Sequence, residues 1–213
     1  GIYRKTKITE AKGNRMQKLG TRMLETDRLI LRKIQSNDYL MMFNNWACLE
    51  ECSEFFPWSA VKDIDIYKER VASWVANYDN ELYFNWIIQS KNSKEIIGII
   101  NLHNVDEDNL IAETSYILCP RYWGNGIMTE ALNRVLRFAF DEVLLNRVQA
   151  DVFSGNVASE KVLLKCGMQK EGVARERYHK GGVYIDAIQY AILQSDWRNE
   201  AVINKHGGTI TAC

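Results

Sequence analysis

The feature that most constrains this chain is "CPRYWGNGIMTEALNRVLRFAF", residues 119–140. A strand-like run, "NLIAETSYILCP", ends at Pro120, because proline has no N–H to give a ladder. Two glycines follow, and a helical apolar period begins at once. Ile127, Ala131, Val135 and Phe138 share one face, widened by Leu132, Leu136 and Ala139, while Thr129, Glu130, Asn133, Arg134 and Arg137 lie away from its centre. The first amides of a helix have no internal partner, and the helix dipole adds partial positive charge there. Glycine lets an anion approach that backbone closely. The stretch is therefore either a plain turn into a helix or a seat for an anion such as phosphate.

The rest of the chain sets this unit among strands and helices. "RLILRKI" (28–34) reads as a strand, and Ser36 and Asp38 start a helix running to about Ala47. "SEFFPWSA" (53–60) reads as a loop, and a second helix covers about 61–78. "YFNWIIQS" and "EIIGIINLH" are strands joined by a turn at Lys91–Lys94. After the glycine helix, "RVQADVFS" is a strand, and Asn156 caps a helix that Gly167 ends. Strands at about 169–178 and 183–193 close the order around a Gly181–Gly182 turn. Hairpins plus one crossover around the glycine helix give an α+β single domain, a mixed, mostly antiparallel sheet of about seven strands with about four helices.

Composition excludes several classes. At 213 residues, 46% hydrophobic and 25% charged, the chain is ordinary for a globular domain. No run approaches the roughly 20 apolar residues of a membrane span, so no membrane partner is expected. Cys48, Cys52, Cys119, Cys166 and Cys213 form no CxxC pair and no Cys/His zinc pattern, so no metal is expected. No charged-then-apolar leader opens the sequence, and the expected setting is a reducing cytoplasm. Net charge is zero, but residues 1–22 carry +6 and the remainder −6. The first stretch reads as a basic arm, native or not, and could touch nucleic acid. The acidic body argues against a nucleic-acid ligand and for a cationic one.

Two phosphate loops are excluded by their own chemistry. A Walker loop needs a lysine after its last glycine, and Ile127 follows Gly126. A dinucleotide fingerprint needs a third glycine where Thr129 stands. Arg121-x-x-Gly124-x-Gly126 instead resembles the acyl-CoA signature of the GNAT N-acetyltransferases. "DVFSGNVASEKVLLKCGMQKEG" (151–172) resembles that family's strand–NxxSxxVLxxxGF–strand block. "LETDRLILR" (24–32) and "DAIQYAILQSDW" (186–197) are similar to the branch holding ribosomal-protein N-terminal alanine or serine acetyltransferases and their small-molecule relatives. The likeness spans about 23–197 and implies a GNAT domain over 23–198, followed by a tail at 199–213.

The resemblance implies the following roles. Acetyl-CoA is the cosubstrate, its pyrophosphate on the amides of Arg121, Gly124, Asn125, Gly126, Ile127, Met128 and Thr129. Its pantetheine pairs with the strand carrying Ile117, Leu118 and Cys119, in a splay between the strands at 110–119 and 147–154. An amine attacks the thioester directly. The Leu118 N–H faces the oxyanion, and Glu113 is the base candidate, directly or through a water. Glu113 otherwise pairs with a neighbour or attracts a cationic amine. Asn156 bonds the pantetheine, caps its helix, or both. Ser159 protonates the thiolate or is only first-turn polarity. The tyrosine many GNAT enzymes place four residues further on is Leu163 here, which puts that acid in doubt. Trp58 is an acceptor-pocket candidate, and His103 is a surface histidine or a second proton acceptor. Cys119 reads as a buried small hydrophobe, and Lys161 and Lys165 as solvated charges or phosphate contacts. The acceptor is a protein N-terminus, as on a ribosomal protein, or a small amine such as a polyamine, an amino acid derivative or an aminoglycoside. Dimers are common in that branch. A non-catalytic acyl-CoA module would show a spoiled glycine motif, and this one is whole.

Overall fold

The computed structural model describes residues 15–205. The parts of the basic arm and the tail at 1–14 and 206–213, with Cys213, lie outside the described residues.

Eight strands form a single sheet: β1 (Leu24–Glu25), β2 (Leu29–Arg32), β3 (Phe84–Ser90), β4 (Ile96–Asp106), β5 (Ile111–Leu118), β6 (Arg147–Phe153), β7 (Gln169–Lys180) and β8 (Val183–Leu193). Their order is β1-β2-β3-β4-β5-β6-β8-β7. Every neighbouring pair is antiparallel except β5 and β6, which the crossover helix makes parallel. The helices are α1 (Tyr39–Met42), α2 (Glu50–Ser53), α3 (Ile64–Ala76), α4 (Ile127–Arg137), α5 (Val157–Lys165) and α6 (Gln194–Lys205). Among the described residues no helix is long and apolar enough to cross a membrane.

The sheet is covered on both faces. One core holds Phe84, Trp86, Ile88, Ile100, Val148 and Val152 against α4 and α5. The other holds Ile87, Ile99, Trp46, Tyr67 and Val71 under α1 and α3. β3 is therefore buried on both faces, Phe84 through Ile88 all being buried, with Asn85 the one polar residue among them.

Four differences from the sequence reading have local causes. β1 is only two residues, too short to show a period. The helix expected over 36–47 is a 3₁₀ turn, α1 and a π turn in succession. Ser53, expected in a loop, ends the short helix α2, and α3 starts at Ile64 because Asp63 accepts from the amides of Asp65 and Ile66. α6 follows β8 directly, an extra helix over part of the expected tail. The end of the basic arm packs onto the domain: Met16 joins the first core, and the Gln17 N–H donates to the Val143 carbonyl at 2.8 Å. The Trp86 indole donates to the Arg22 carbonyl at 2.6 Å.

Candidate active site

β5 delivers the chain into the glycine loop. After it come Cys119, a 3₁₀ turn at Pro120–Tyr122, and Trp123, whose indole N–H donates to the Leu118 carbonyl at 2.8 Å. Gly124 and Gly126 both sit in the left-handed region, at φ 77° and 71°. A Cβ at Gly124 would meet nothing within 4 Å, and at Gly126 only Arg28 Nη2 at 3.8 Å. Packing therefore does not demand these glycines; backbone conformation and open approach do.

Gly126 is the N-cap of α4 and has no side chain to cap with. The first bond across that cap is the Glu130 N–H to the Gly126 carbonyl, 3.0 Å. The amides of Ile127, Met128 and Thr129 thus lack intrahelical partners. α4 tolerates this because its apolar face is buried, Leu132, Val135 and Leu136 completely. Each such side chain contributes about 1.5–3 kcal/mol, against about 1 kcal/mol for a side-chain cap. The helix is stable with its N-terminus open to an anion.

Glu130, in the first turn of α4, fixes the loop from behind. It accepts from Thr26 Oγ1 at 2.5 Å and from the Arg28 N–H at 3.1 Å, while Arg28 Nη1 donates to the Asn125 carbonyl at 3.1 Å. Burial acts to raise the Glu130 pKa, but the bonds from Thr26 and Arg28 outweigh it and leave it below the ordinary 4.5. A lowered folded-state pKa stabilises the fold above the unfolded value, and that stabilisation fades as pH falls through the folded value. Glu130→Gln is expected to melt lower than the wild type at pH 7. The gap in Tm should close below about pH 4.5; thermal scans from pH 7 to pH 3 read it.

Beside the loop the sheet opens. β5 and β6 pair only at Ile111↔Arg147, Ala112↔Val148 and Glu113↔Gln149, although β5 continues to Leu118 and β6 to Phe153. The backbone beyond Glu113 is therefore an unpaired parallel edge. The Cys119 N–H donates to Ile97 at 2.7 Å, and Leu118 lies opposite Gly98. That register puts Leu118 at a non-hydrogen-bonded position on the β4 side, so its N–H points into the opening. A Cβ on Gly98 would lie 2.5 Å from the Ile117 carbonyl, so this glycine keeps β5 in place. Cys119 is buried and Ile117 packs against the second core.

α5 forms the other wall. Asn156 Oδ1 accepts the Ser159 N–H at 3.1 Å, which is the capping role. Lys161 and Lys165 are exposed. On the face that carries α3, Glu113 accepts from Asn104 Nδ2 and Gln149 Nε2, both at 3.0 Å. His103 Nδ1 stands 3.9 Å from the same carboxylate. His103 also lines a cavity of about 550 Å³ with Phe56, Trp58, Asn85, Asn101 and Ser115. Trp58 stacks on Phe56 with centroids 4.5 Å apart. Lys180, at the tip of β7, donates to the Ser53, Glu54 and Trp58 carbonyls and ties that aromatic wall to the β7–β8 hairpin.

An open-ended helix behind two left-handed glycines, beside a parallel strand pair that splays apart, is the arrangement the resemblance implied, and the Acetyltransferase (GNAT) domain matches residues 28–169. The chain belongs to the GNAT acetyltransferases. It is an acyltransferase of the N-acetyltransferase kind. The uncharacterized N-acetyltransferase YoaA of Bacillus subtilis is 33% identical over 174 residues, 81% of this chain and 97% of that protein. The ribosomal protein uS5 alanine N-acetyltransferase of Escherichia coli K12 is 28% identical over 182 residues, 82% and 92%. The structure of spermidine N-acetyltransferase from Vibrio cholerae with CoA and spermine superposes at TM-score 0.71 and 22% identity, covering 82% of this chain and all of that one.

Within this GNAT site the structure adds a residue that sequence reasoning missed. Leu163, at the position where the resemblance would put a tyrosine, is buried, and Tyr116 of β5 reaches across to α5 instead. Its hydroxyl lies 2.9 Å from Ser159 Oγ. Burial pushes the Tyr116 pKa well above 10.0, against a smaller lowering by the Ser159 bond. The phenol stays protonated and can donate to Ser159 Oγ, leaving the serine proton to point elsewhere. Tyr116→Phe is expected to lower kcat about 10-fold, the size of one such hydrogen bond. The KM for acetyl-CoA should stay within about twofold. Steady-state kinetics separate the two; a changed KM with an unchanged kcat would make Tyr116 structural.

Proposed function

We propose that this GNAT enzyme transfers the acetyl group of acetyl-CoA to a primary amine by direct attack in a ternary complex, and that the amine is a protein N-terminus. The observation that carries the cosubstrate is the left-handed glycine pair with open amides at the mouth of α4, next to the splay of β5 from β6. Arg121 and Gly124 to Thr129 would hold the pyrophosphate, with the backbone of Ile117 to Cys119 beside the pantetheine. Asn156 caps α5 through its oxygen and keeps its Nδ2 for the same arm.

The chemistry needs three things. The amine must be neutral, since an alkylamine near pKa ~10 is mostly protonated at neutral pH. Glu113 is placed on the acceptor side of β5 to take that proton directly or through a water. The Leu118 N–H faces the carbonyl oxygen as it gains charge, a donor worth about 10²–10³ in rate elsewhere. As the C–N bond forms and the C–S bond breaks, Ser159, oriented by Tyr116, donates to the departing sulfur. Trp58 forms part of the acceptor wall.

The kinship with the uS5 alanine enzyme supports a protein acceptor. Cys48, Cys52 and Cys119 are free thiols, which suits a cytoplasmic setting. The test is transfer of radiolabelled acetyl from acetyl-CoA into a cytosolic extract, split into protein and small-molecule fractions. Label in a discrete protein band supports the N-terminal reading. Label confined to small molecules makes the acceptor a metabolite.

A further inference from the structure

The cavity on the α3 face holds an unmet hydrogen-bonding requirement. Asn85 lines it, is 5% exposed, and its Oδ1 has no partner among the described residues, while its Nδ2 donates to the Tyr83 hydroxyl at 2.8 Å. A buried polar atom left without a partner costs about 1–3 kcal/mol. If the amide were turned over, its Nδ2 would be the orphan instead. Either way one polar atom of Asn85 has no partner among the described residues.

Asn85 belongs to a row. It lies opposite Asn101, and Asn101 opposite Ser115, across β3, β4 and β5. Ser115 Oγ donates to Asn101 Oδ1 at 2.9 Å, and Asn101 Nδ2 donates to none of the described residues. The row ends at Ser115, on the strand that carries Glu113 and Leu118 into the splay. An acceptor, a donor and a hydroxyl thus run across the sheet towards the reacting centre. The lining includes no aspartate or glutamate. An ammonium withdrawn from water into it would have no carboxylate partner beyond Glu113 at one end.

We infer that this groove binds the acceptor as an extended peptide, and that Asn85 selects it by pairing with a backbone amide behind the reacting amine. The inference rests on the acyl-transfer reading above. Strands are about 4.8 Å apart, so β3 lies about 10 Å from β5. An extended chain advances about 3.4 Å per residue, which puts the paired amide near the third residue. A polyamine has no amide to offer and brings a second charge to a groove without a carboxylate for it. Peptide N-termini are therefore preferred.

The experiment uses the full chain, acetyl-CoA, and a tetrapeptide amide with a free N-terminus. In a set of analogues each backbone N–H is replaced in turn by an ester oxygen, and spermidine is the comparator. The peptide carries the change, so folding of a variant is not at issue. The tetrapeptide is expected to exceed spermidine in kcat/KM by about 10-fold or more. One ester position, at or next to the third residue, should lose about 10-fold, and Asn85→Leu should lose the same factor for the parent peptide but nothing further for that ester. A flat ester scan, or spermidine equal to or better than the peptide, overturns the inference while leaving acyl transfer standing. Acetylation of no amine at all, with CoA binding intact, overturns both.

Discussion

Replacing Gly124 and Gly126 together by alanine is expected to lower acetyl-CoA affinity by at least about 100-fold while the domain stays folded. Both residues hold positive φ, 77° and 71°, where an alanine costs about 1–2 kcal/mol. No steric clash adds to this, since open space surrounds Gly124 and only the end of a flexible arginine is near Gly126. The loop would relieve the strain by turning its peptides, and that withdraws the amides at the mouth of α4. Each hydrogen bond to a charged phosphate oxygen is worth about 1.5–3 kcal/mol, so losing two reaches the stated factor. For a domain of this size each kcal/mol shifts Tm by only about 2–4 °C. Calorimetric titration with CoA beside a thermal melt reads both quantities. A variant that binds CoA as the wild type does would remove the loop from the cosubstrate site.

Glu113→Gln should cost about 100-fold in kcat near neutral pH, and the deficit should shrink as pH rises. The carboxylate is held at both oxygens, by Gln149 and by Asn104, so a glutamine fits once one of those amides turns over. Structure is thereby preserved and the proton acceptor removed. General-base assistance is typically worth 10²–10⁴-fold. Without it the reaction needs an amine already deprotonated. The log of kcat/KM should then climb with unit slope towards the amine's own pKa, about 8 for a peptide N-terminus. The pH profile of wild type and variant, followed by release of CoA thiol, distinguishes this from a role in attraction alone. A parallel downward shift with no change in shape would assign Glu113 to binding the cation.

The glycine helix was readable because its signals are local: a proline stop, two glycines and a 3.6 period within twenty residues. The splay of β5 from β6 was not local, and only the resemblance implied it. A sequence does not state where two parallel strands cease to pair. Tyr116 and Ser159 are 43 residues apart and meet only because β5 faces α5. The row Asn85, Asn101 and Ser115 depends on the register of three strands, and each residue alone reads as an ordinary polar position in a sheet. Gly98 gave no warning either, since its need comes from the Ile117 carbonyl on the next strand. The packed segment around Met16 escaped notice because hydrogen bonds from backbone N–H groups help hold it, and these leave no composition mark.

The most direct measurement follows backbone amides of the ¹⁵N-labelled chain by NMR during titration with acetyl-CoA. The expected result is saturable, selective movement of the Gly124, Gly126 and Leu118 amide resonances, the two glycines also responding to CoA alone. Saturation with those three amides unmoved, or no response to acetyl-CoA anywhere, would contradict the assignment of this loop and splay as the acyl-transfer site.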